Sequence, residues 1–363
     1  MSLPRLLPTA LFAALPLFAA ADDSSTLDAD ERVVLFPTAA ALASDGASWR
    51  LPLSGCVFEP EDESLWRDAV TRSFRGILTL ATTAEERKLA ESRLRLFLVD
   101  HQRNERFEIA IGARRFLVGP TAPNGHADAF VELPIAAAEL LATDGVLPIT
   151  VPAHQGVAAV AGRVHLVGPE GLSVISDLDD TVKITDVRDK TEALRNTFLR
   201  DFRPVAGMPE LYQRIALEGA KATPKSRVAF HYVSLSPWQL APLLDEFLAR
   251  SGLPAGSLHL QHFRVKDGDF ADLTGDSREK KLAAIEPLLA TWPRRHFVLF
   301  GDSGQKDPET YGELARRHPQ QIAAIVIRDV TAEPAESPRY AAAFADLPRA
   351  KWQLFIDPAM VAV

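Results

Sequence analysis

Residues Ser173–Val187 read SVISDLDDTVKITDV, and this stretch decides the fold. Val174 and Ile175 are β-formers, and the chain then runs into Asp177, Asp179, Asp180 and Thr181, so a buried strand ends in a charge cluster. The upstream run Val164–Val167 is strand-like as well. The three aspartates are therefore expected at or just past the carboxyl end of a strand, where open α/β sheets hold their ligands. Acidic side chains so close together repel one another at neutral pH unless a cation sits among them or a proton is shared. An Asp-rich turn closing a strand would give the same letters, because Asp hydrogen-bonds local backbone in turns.

Downstream, strands alternate with helices, the pattern of a parallel sheet with crossovers. Helices are expected at Glu192–Arg200, Pro209–Leu217, Pro237–Leu248, Arg278–Ala290 and Pro308–Arg317. Strands are expected at Arg227–Val233, Leu258–Gln261, His296–Phe300 and Ile322–Ile327. Only the short stretch Lys266–Asp276 could serve as a cap.

Upstream, residues 22–168 are β-rich. Arg32–Phe36, Trp49–Phe58, Arg93–Val99, Phe107–Ile111, Ala127–Leu133, Leu147–Val151 and Val157–Val167 carry β-branched or aromatic residues between turn signals. Such spacing predicts a sandwich- or barrel-like domain. Glu61–Ile77 and Thr83–Glu91 read as helical, with Trp66, Val70, Phe74 and Ile77 on one core-facing stripe. This half carries no metal-spaced His/Cys cluster and no nucleophile motif.

Met1–Ala21 has one basic residue, Arg5, then the apolar run Leu6–Ala20 and Ala19-Ala20-Ala21 before Asp22. This is the form of a secretory signal cleaved after Ala21, with an uncleaved anchor as the alternative although about 15 apolar residues fall short of the ~20 of a spanning helix, and it predicts a bacterial protein of the periplasm or exterior. The formal net charge of −8 becomes −9 when Arg5 leaves with the signal. An acidic chain without a basic run is not a nucleic-acid binder, and an anionic substrate must be met by local Lys, Arg or a metal. The one cysteine, Cys56, excludes an intrachain disulfide and reads as a small buried strand residue. The expected organisation is signal 1–21, β-rich domain 22–168 and α/β domain 169–363.

Three further groups of candidate residues follow along the chain. Ser234 closes Val228–Val233 as a hydroxyl able to donate to a phosphate oxygen, while Ser236 suits an N-cap ahead of Pro237. Lys280 and Lys281 open a helix, where the macrodipole disfavours cations; that placement invites a reason, and ordinary solvated lysines would read the same. Asp302 and Asp307 flank a glycine-containing loop and suit Mg²⁺, a hard cation that takes oxygen ligands. Asp302 would be the direct ligand, and Asp307 would orient a water or the lysine, or N-cap the helix before Pro308.

The order D-x-D-x-T after an apolar strand resembles the first motif of haloacid dehalogenase-like (HAD) phosphatases. The segments DLDDTVKITDV, FRPVAGMPELY, FHYVSLSPWQL and FVLFGDSGQKDPETY together resemble the catalytic domain of the phosphatidate phosphatase family first associated with yeast cortical actin patches. The resemblance implies a HAD-like Rossmannoid parallel sheet and a Mg²⁺-dependent phosphomonoester hydrolase. It implies Asp177 as nucleophile and metal ligand, and Asp179 as general acid/base and metal ligand through its backbone carbonyl. Thr181, Ser234 and Lys281 would hold phosphate, with Asp302 and Asp307 completing the metal site. Lys281 fits the lysine register better than Lys280, although many members show His-Lys where this chain has Lys-Lys. Lys183 matches the lysine after the family's D-D-T and either reaches the substrate or lies on the surface. Trp238 is either an apolar wall for a lipid or packing core.

The substrate expected is a phosphorylated molecule, a lipid phosphate among the candidates, reached by transient contact with a membrane surface. A lipid tail would need apolar surface from the β-rich domain or from Arg200–Tyr212. Two other readings stand beside this one: a phosphatase for small soluble phosphates, and a secreted binding protein that uses the fold as a scaffold.

Overall fold

The computed structural model describes residues 25–60, 73–222, 226–261 and 277–362. The signal segment, Trp66, Val70 and Lys266–Asp276 lie outside the described residues.

The first half contains β1 (Arg32–Leu35), β2 (Thr38–Leu42), β3 (Ser48–Pro60), α1 (Arg75–Leu78), α2 (Ala84–Arg95), β4 (Val99–His101), β5 (Phe107–Ile111), β6 (Arg114–Val118), β7 (His126–Pro134), α3 (Ile135–Leu141), β8 (Val146–Val151) and β9 (Val160–Leu166). These strands make one sheet in the order β1-β3-β2-β9-β8-β5-β6, with β4 and β7 also paired to β3. Every pairing is antiparallel except β2 with β9. Leu51 and Leu53 of β3 share one core with Ile109, Ile149 and Val164 from the far side of the sheet. The sheet therefore folds over its own apolar face. Cys56 is buried on β3, as expected.

The expected strand Arg93–Val99 is corrected: α2 runs through Arg95, and extended structure begins at Val99. Local signals explain this. Thr83 caps the helix by accepting from Glu86 N, Glu85 and Glu86 occupy its first turn, and Arg93 and Arg95 its last, all in the sense the macrodipole favours. Strands β2 and β6 and helix α3 were not anticipated. TAAAL of β2 has little β propensity of its own and is held by β3 and β9.

The second half contains β10 (Glu170–Ser176), α4 (Lys190–Leu194) continued by a π-helical turn (Arg195–Leu199), α5 (Met208–Ala222), β11 (Ala229–Pro237), α6 (Ala241–Arg250), β12 (Ser257–Gln261), α7 (Ser277–Thr291), β13 (Arg294–Asp302), α8 (Asp307–Arg317), β14 (Ile322–Arg328), α9 (Pro338–Ala343) and β15 (Trp352–Phe355). Its sheet runs β12-β11-β10-β13-β14-β15, parallel throughout. The chain steps outward from β10 to β12, then returns to the other side of β10 at β13. The carboxyl ends of β10 and β13 thus flank a topological switch point, where such sheets bind ligands.

Side-chain alternation puts Val174, Phe230 and Val298 on one face with Leu211 and Leu244, and Ile175, Val233 and Leu299 on the other with Ile285 and Leu314. The first core also takes in Phe74, Ile77, Leu94 and Phe97 from the first half. The change of sheet falls between Leu166 and Glu170, yet α1 and α2 belong to the parallel sheet's core. Arg93 reinforces that join, donating to the carbonyls of Thr197 and Arg200 at 2.7 and 2.6 Å. Phe202, Val205, Met208, Leu211 and Tyr212 are buried in the same core. The segment Arg200–Tyr212 therefore does not offer the apolar surface expected of it. A cleft of about 480 Å³ does lie between the two sheets, lined by Phe36, Phe130, Leu258, Ala284, Leu288 and Trp292 among others.

Candidate active site

The register Ser176↔Phe300 brings Asp177 beside the end of β13, and Asp177 N donates to Phe300 O at 2.9 Å. Oxygens of Asp177, Asp302 and Asp307, all three buried, lie within 4.8 Å of one another. Lys281 reaches them from the second turn of α7. Its Nζ is 3.0 Å from Asp177 Oδ1 and also bonds Asp307 Oδ1. Lys280, by contrast, is exposed. Thr181 donates to Asp177 Oδ2 at 3.2 Å.

Gly301 makes the approach of Asp307 possible: a Cβ there would stand 2.4 Å from Asp307 Oδ2 and 2.7 Å from the Tyr311 ring. Asp307 Oδ2 instead accepts from Asp302 N at 3.1 Å. Asp307 is the first residue of α8, and Lys306 holds the cap position. The N-cap alternative for Asp307 is thus corrected; its carboxylate is turned to Lys281 and the β13 backbone.

Electrostatics follow from burial. Desolvation pushes the Asp177 carboxyl up, Lys281 pulls it back, and Asp307 and Asp302 push it up again, leaving it well above the carboxylate range. Desolvation and then Asp307 push Asp302 up to about 7, against the pull of Lys281. For Lys281, burial alone would lower the ammonium's pKa, but Asp177, Asp307 and Asp302 more than offset it, and the group stays charged.

Asp179 is turned away from this trio. Its Oδ1 faces Lys183 Nζ at 2.8 Å and accepts from Thr185 at 2.7 Å, and its Oδ2 accepts from Ser234 and Ser236 at 3.0 Å each. Desolvation would raise this carboxyl, but Lys183 and the hydroxyl donors outweigh it and hold it ionised, below the usual range. Asp180, with φ +57°, organises the turn: its carboxylate accepts from the backbone of Thr185, Asp186 and Val187 at 2.7–2.8 Å.

Several expectations are revised. Lys183 is 1% exposed, so it is not a surface residue, and its ammonium is spent on Asp179. Ser236 is not an N-cap. β11 continues to Pro237, which occupies the cap position of a 3₁₀ turn at Trp238–Leu240 with no side-chain bond. The Ser236 hydroxyl goes to Asp179 instead. Trp238 is buried against Phe36, Phe58, His101 and His126 of the first half, with ring centroids 5.3–6.2 Å apart, and it also borders the cleft. Thr185 and Ser236 are contacts that sequence reasoning missed. The signal for Ser236 was its i+2 spacing from Ser234 on a strand, which puts both hydroxyls on one face.

A divalent cation fits the trio. Asp302 Oδ1 accepts from Gly304 N at 2.6 Å, whereas Oδ2 is buried without a hydrogen-bond partner, a state that native structures rarely leave uncompensated. Three carboxylates face one ammonium, and an all-oxygen donor set suits Mg²⁺. Both oxygens of Asp307 are already engaged, which leaves Asp302 as the better-placed direct donor.

Residues 172–329 match the family described as phosphatidate phosphatase APP1, catalytic domain. The chain is 31% identical over 185 residues to the phosphatidate phosphatase APP1 of Saccharomyces cerevisiae, covering 50% of this chain and 30% of that protein. It is 30% identical over 181 residues to an uncharacterized protein of Schizosaccharomyces pombe, covering 49% and 28%. The chain thus spans less than a third of the length of these curated relatives. Residues 172–329, which supply most of the parallel sheet and carry Asp177 and Asp302, are similar to the phosphatidate phosphatase catalytic domain.

Proposed function

We propose that this protein is a HAD-like, Mg²⁺-dependent phosphatase that hydrolyses a phosphomonoester, in the first place a lipid phosphate such as phosphatidate. The observation that carries the reading is a buried carboxylate, Asp177, at the switch point of a parallel sheet. Lys281 lies against one of its oxygens, Thr181 against the other, and Asp302, with one oxygen unpaired, belongs to the same cluster. The match of residues 172–329 to the phosphatidate phosphatase catalytic domain supports the same chemistry, and a lipid tail would find apolar surface in the cleft between the sheets, which Trp238 borders.

In the first step a carboxylate oxygen of Asp177 attacks phosphorus in line, and the bond from phosphorus to the substrate alcohol breaks. Asp179 gives that alcohol oxygen a proton. In the second step Asp179 takes a proton from water as the water attacks the aspartyl-phosphate, releasing inorganic phosphate and restoring Asp177. Before the first step Asp179 must acquire its proton. Arrival of a phosphate dianion beside it, competing for the Ser234 hydroxyl, raises its proton affinity in the required direction. Lys281 offsets the charge gathering on the phosphoryl oxygens. Asp177 and Asp302 would hold Mg²⁺, with Asp307 fixing the lysine; the ion would add positive charge at those same oxygens.

The test is phosphate release from dispersed phosphatidate and from soluble phosphomonoesters, with Mg²⁺ or EDTA, beside Asp177→Asn. Release that needs the metal and disappears in a folded Asp177→Asn protein is expected. Preference for phosphatidate would support the lipid reading, and preference for soluble esters would replace it. Undiminished release by the variant would sink the nucleophile assignment.

A further inference from the structure

The Asp179 carboxylate receives four donors, two on each oxygen, which matches the roughly four lone-pair sites a carboxylate offers. The donors come from two separate pieces of backbone. Lys183 and Thr185 lie on the turn after β10, whereas Ser234 and Ser236 lie on β11. Each piece is itself held, β11 by its pairing with β10 and β12 and the turn by bonds of its own. Val182 O accepts from Val205 N at 2.9 Å, Ile184 N donates to Arg203 O at 2.9 Å, and Thr185 N donates to Asp180 Oδ1 at 2.8 Å. The Lys183 ammonium stands 4.9 Å from the centre of the Phe202 ring and bonds Thr185 Oγ1 as well as Asp179.

Burying an ammonium and ordering its four-carbon stem are both costly. A fold that needed only volume beside Phe202 would be served better by methionine. The charge here is directed at one carboxylate, and that carboxylate is still partly exposed, with 14% of its side-chain surface accessible. Ser234 is the donor a phosphate oxygen can recruit; Lys183, Thr185 and Ser236 are then left holding Asp179.

We propose that Lys183, Thr185 and Ser236 are positioning residues that aim the Asp179 carboxyl at the oxygen of the departing alcohol. They act through Asp179 and make no contact with phosphorus. This assignment rests on the reading of Asp179 as the acid of the first step. It departs from the expectation that Lys183 touches substrate.

A misaimed acid matters only where the leaving oxygen needs a proton. The test therefore compares kcat/KM, which reports steps through alcohol departure, for an alkyl phosphate and for p-nitrophenyl phosphate, whose phenolate leaves without protonation. In Lys183→Met the alkyl phosphate value is expected to fall about 100-fold, the scale of general acid catalysis, and the nitrophenyl value at least about 10-fold less than that. Thr185→Val and Ser236→Ala should show the same skew more weakly, and Thr185→Ser, which keeps the hydroxyl, should restore the parent ratio. These milder variants carry the test if Lys183→Met does not fold. Equal losses on both substrates in any folded variant, or none on either, would overturn the positioning role. A parent protein inert on both substrates and on dispersed phosphatidate would instead overturn the phosphatase reading, and the assignment with it.

Discussion

Lys281 Nζ lies 3.0 Å from Asp177 Oδ1, with both side chains only 2% exposed. One ammonium therefore stands against a buried cluster of three carboxylates, Asp177, Asp302 and Asp307. Replacing it by methionine leaves that cluster without its protein cation. Phosphate release is expected to fall by about 100-fold or more, since a preorganised charge at the reacting oxygens is lost. Lys280→Met, one residue away and exposed, should stay within about twofold of the parent, surface charges being worth little. Parallel assays of the two variants check this, and similar losses in both would contradict the geometry.

Asp302 tests the metal. Asp302→Asn keeps the shape but removes the charge from the one trio oxygen that is buried without a partner. Mg²⁺ affinity measured by titration calorimetry should drop at least about tenfold, the lower end of what even supporting groups of a metal site contribute. In EDTA the same variant should melt at a higher temperature than the parent, because Asp302 and Asp307 no longer repel across a dry site. A lower melting temperature in EDTA would mean that the Asp302 charge stabilises the apo fold.

The opposite end of the sheet holds a purely structural cation. Arg295 is 1% exposed and donates to the carbonyls of Gly168, Glu170, Leu172 and Arg227 and to the Ser173 hydroxyl. It ties together the amino ends of β10, β11 and β13. Arg295→Met strands several buried acceptors, each costing roughly 1–3 kcal/mol, so a loss of about 3 kcal/mol or more is expected in urea unfolding. Phosphate release by whatever remains folded should be near the parent's per folded molecule, because the site lies at the carboxyl ends. A loss below about 1 kcal/mol would show that water replaces the guanidinium.

The parallel sheet was legible because its strands are short apolar runs alternating with helices, and three of them, β10, β11 and β13, carry Asp177, Ser234 and Asp302 at or near their carboxyl ends. Asp177, Ser234 and Asp302 were found by that pattern alone. Thr185 and Ser236 were not, since a lone hydroxyl in a polar stretch carries no mark of the carboxylate it will face across the sheet. Arg295 was missed for the same reason: it precedes the apolar run Phe297–Phe300 and reads as a solvated flank. The Arg93–Val99 error shows local apolar content overriding the capping pattern at Thr83–Glu86. The packing of α1 and α2 into the parallel sheet's core had no sequence signal, because an apolar helix face does not state which sheet it meets.

Stability should depend on pH through the histidines between the sheets. His231 Nδ1 and His259 Nε2 both bond Ser257 Oγ at 2.8 Å, and the Nε2 atoms of His231 and His165 are buried without partners. Burial, then Arg163, lowers His165 to about 4 against the pull of Asp245. Burial lowers His259 to about 4, and burial with His259, Arg295 and His165 lowers His231 well below its usual value. Each native pKa lies below the unfolded value of about 6.5. Between pH 6.5 and 4 the unfolded chain therefore binds protons that the native state does not, so stability rises with pH across that window and is lost as pH falls through it. At about 1.4 kcal/mol per unit, full titration would cost roughly 3 kcal/mol at His165, and less at His259, which borders the cleft. Urea midpoints at pH 7.5, 6.0 and 4.5, taken in saturating Mg²⁺ so that Asp302 does not titrate in the opposite sense, should decline steadily. His165→Gln should have a shallower slope than the parent. A parent profile that is flat across this window would mean that these imidazoles are hydrated in the native state, and a His165→Gln slope equal to the parent's would remove His165 from the account.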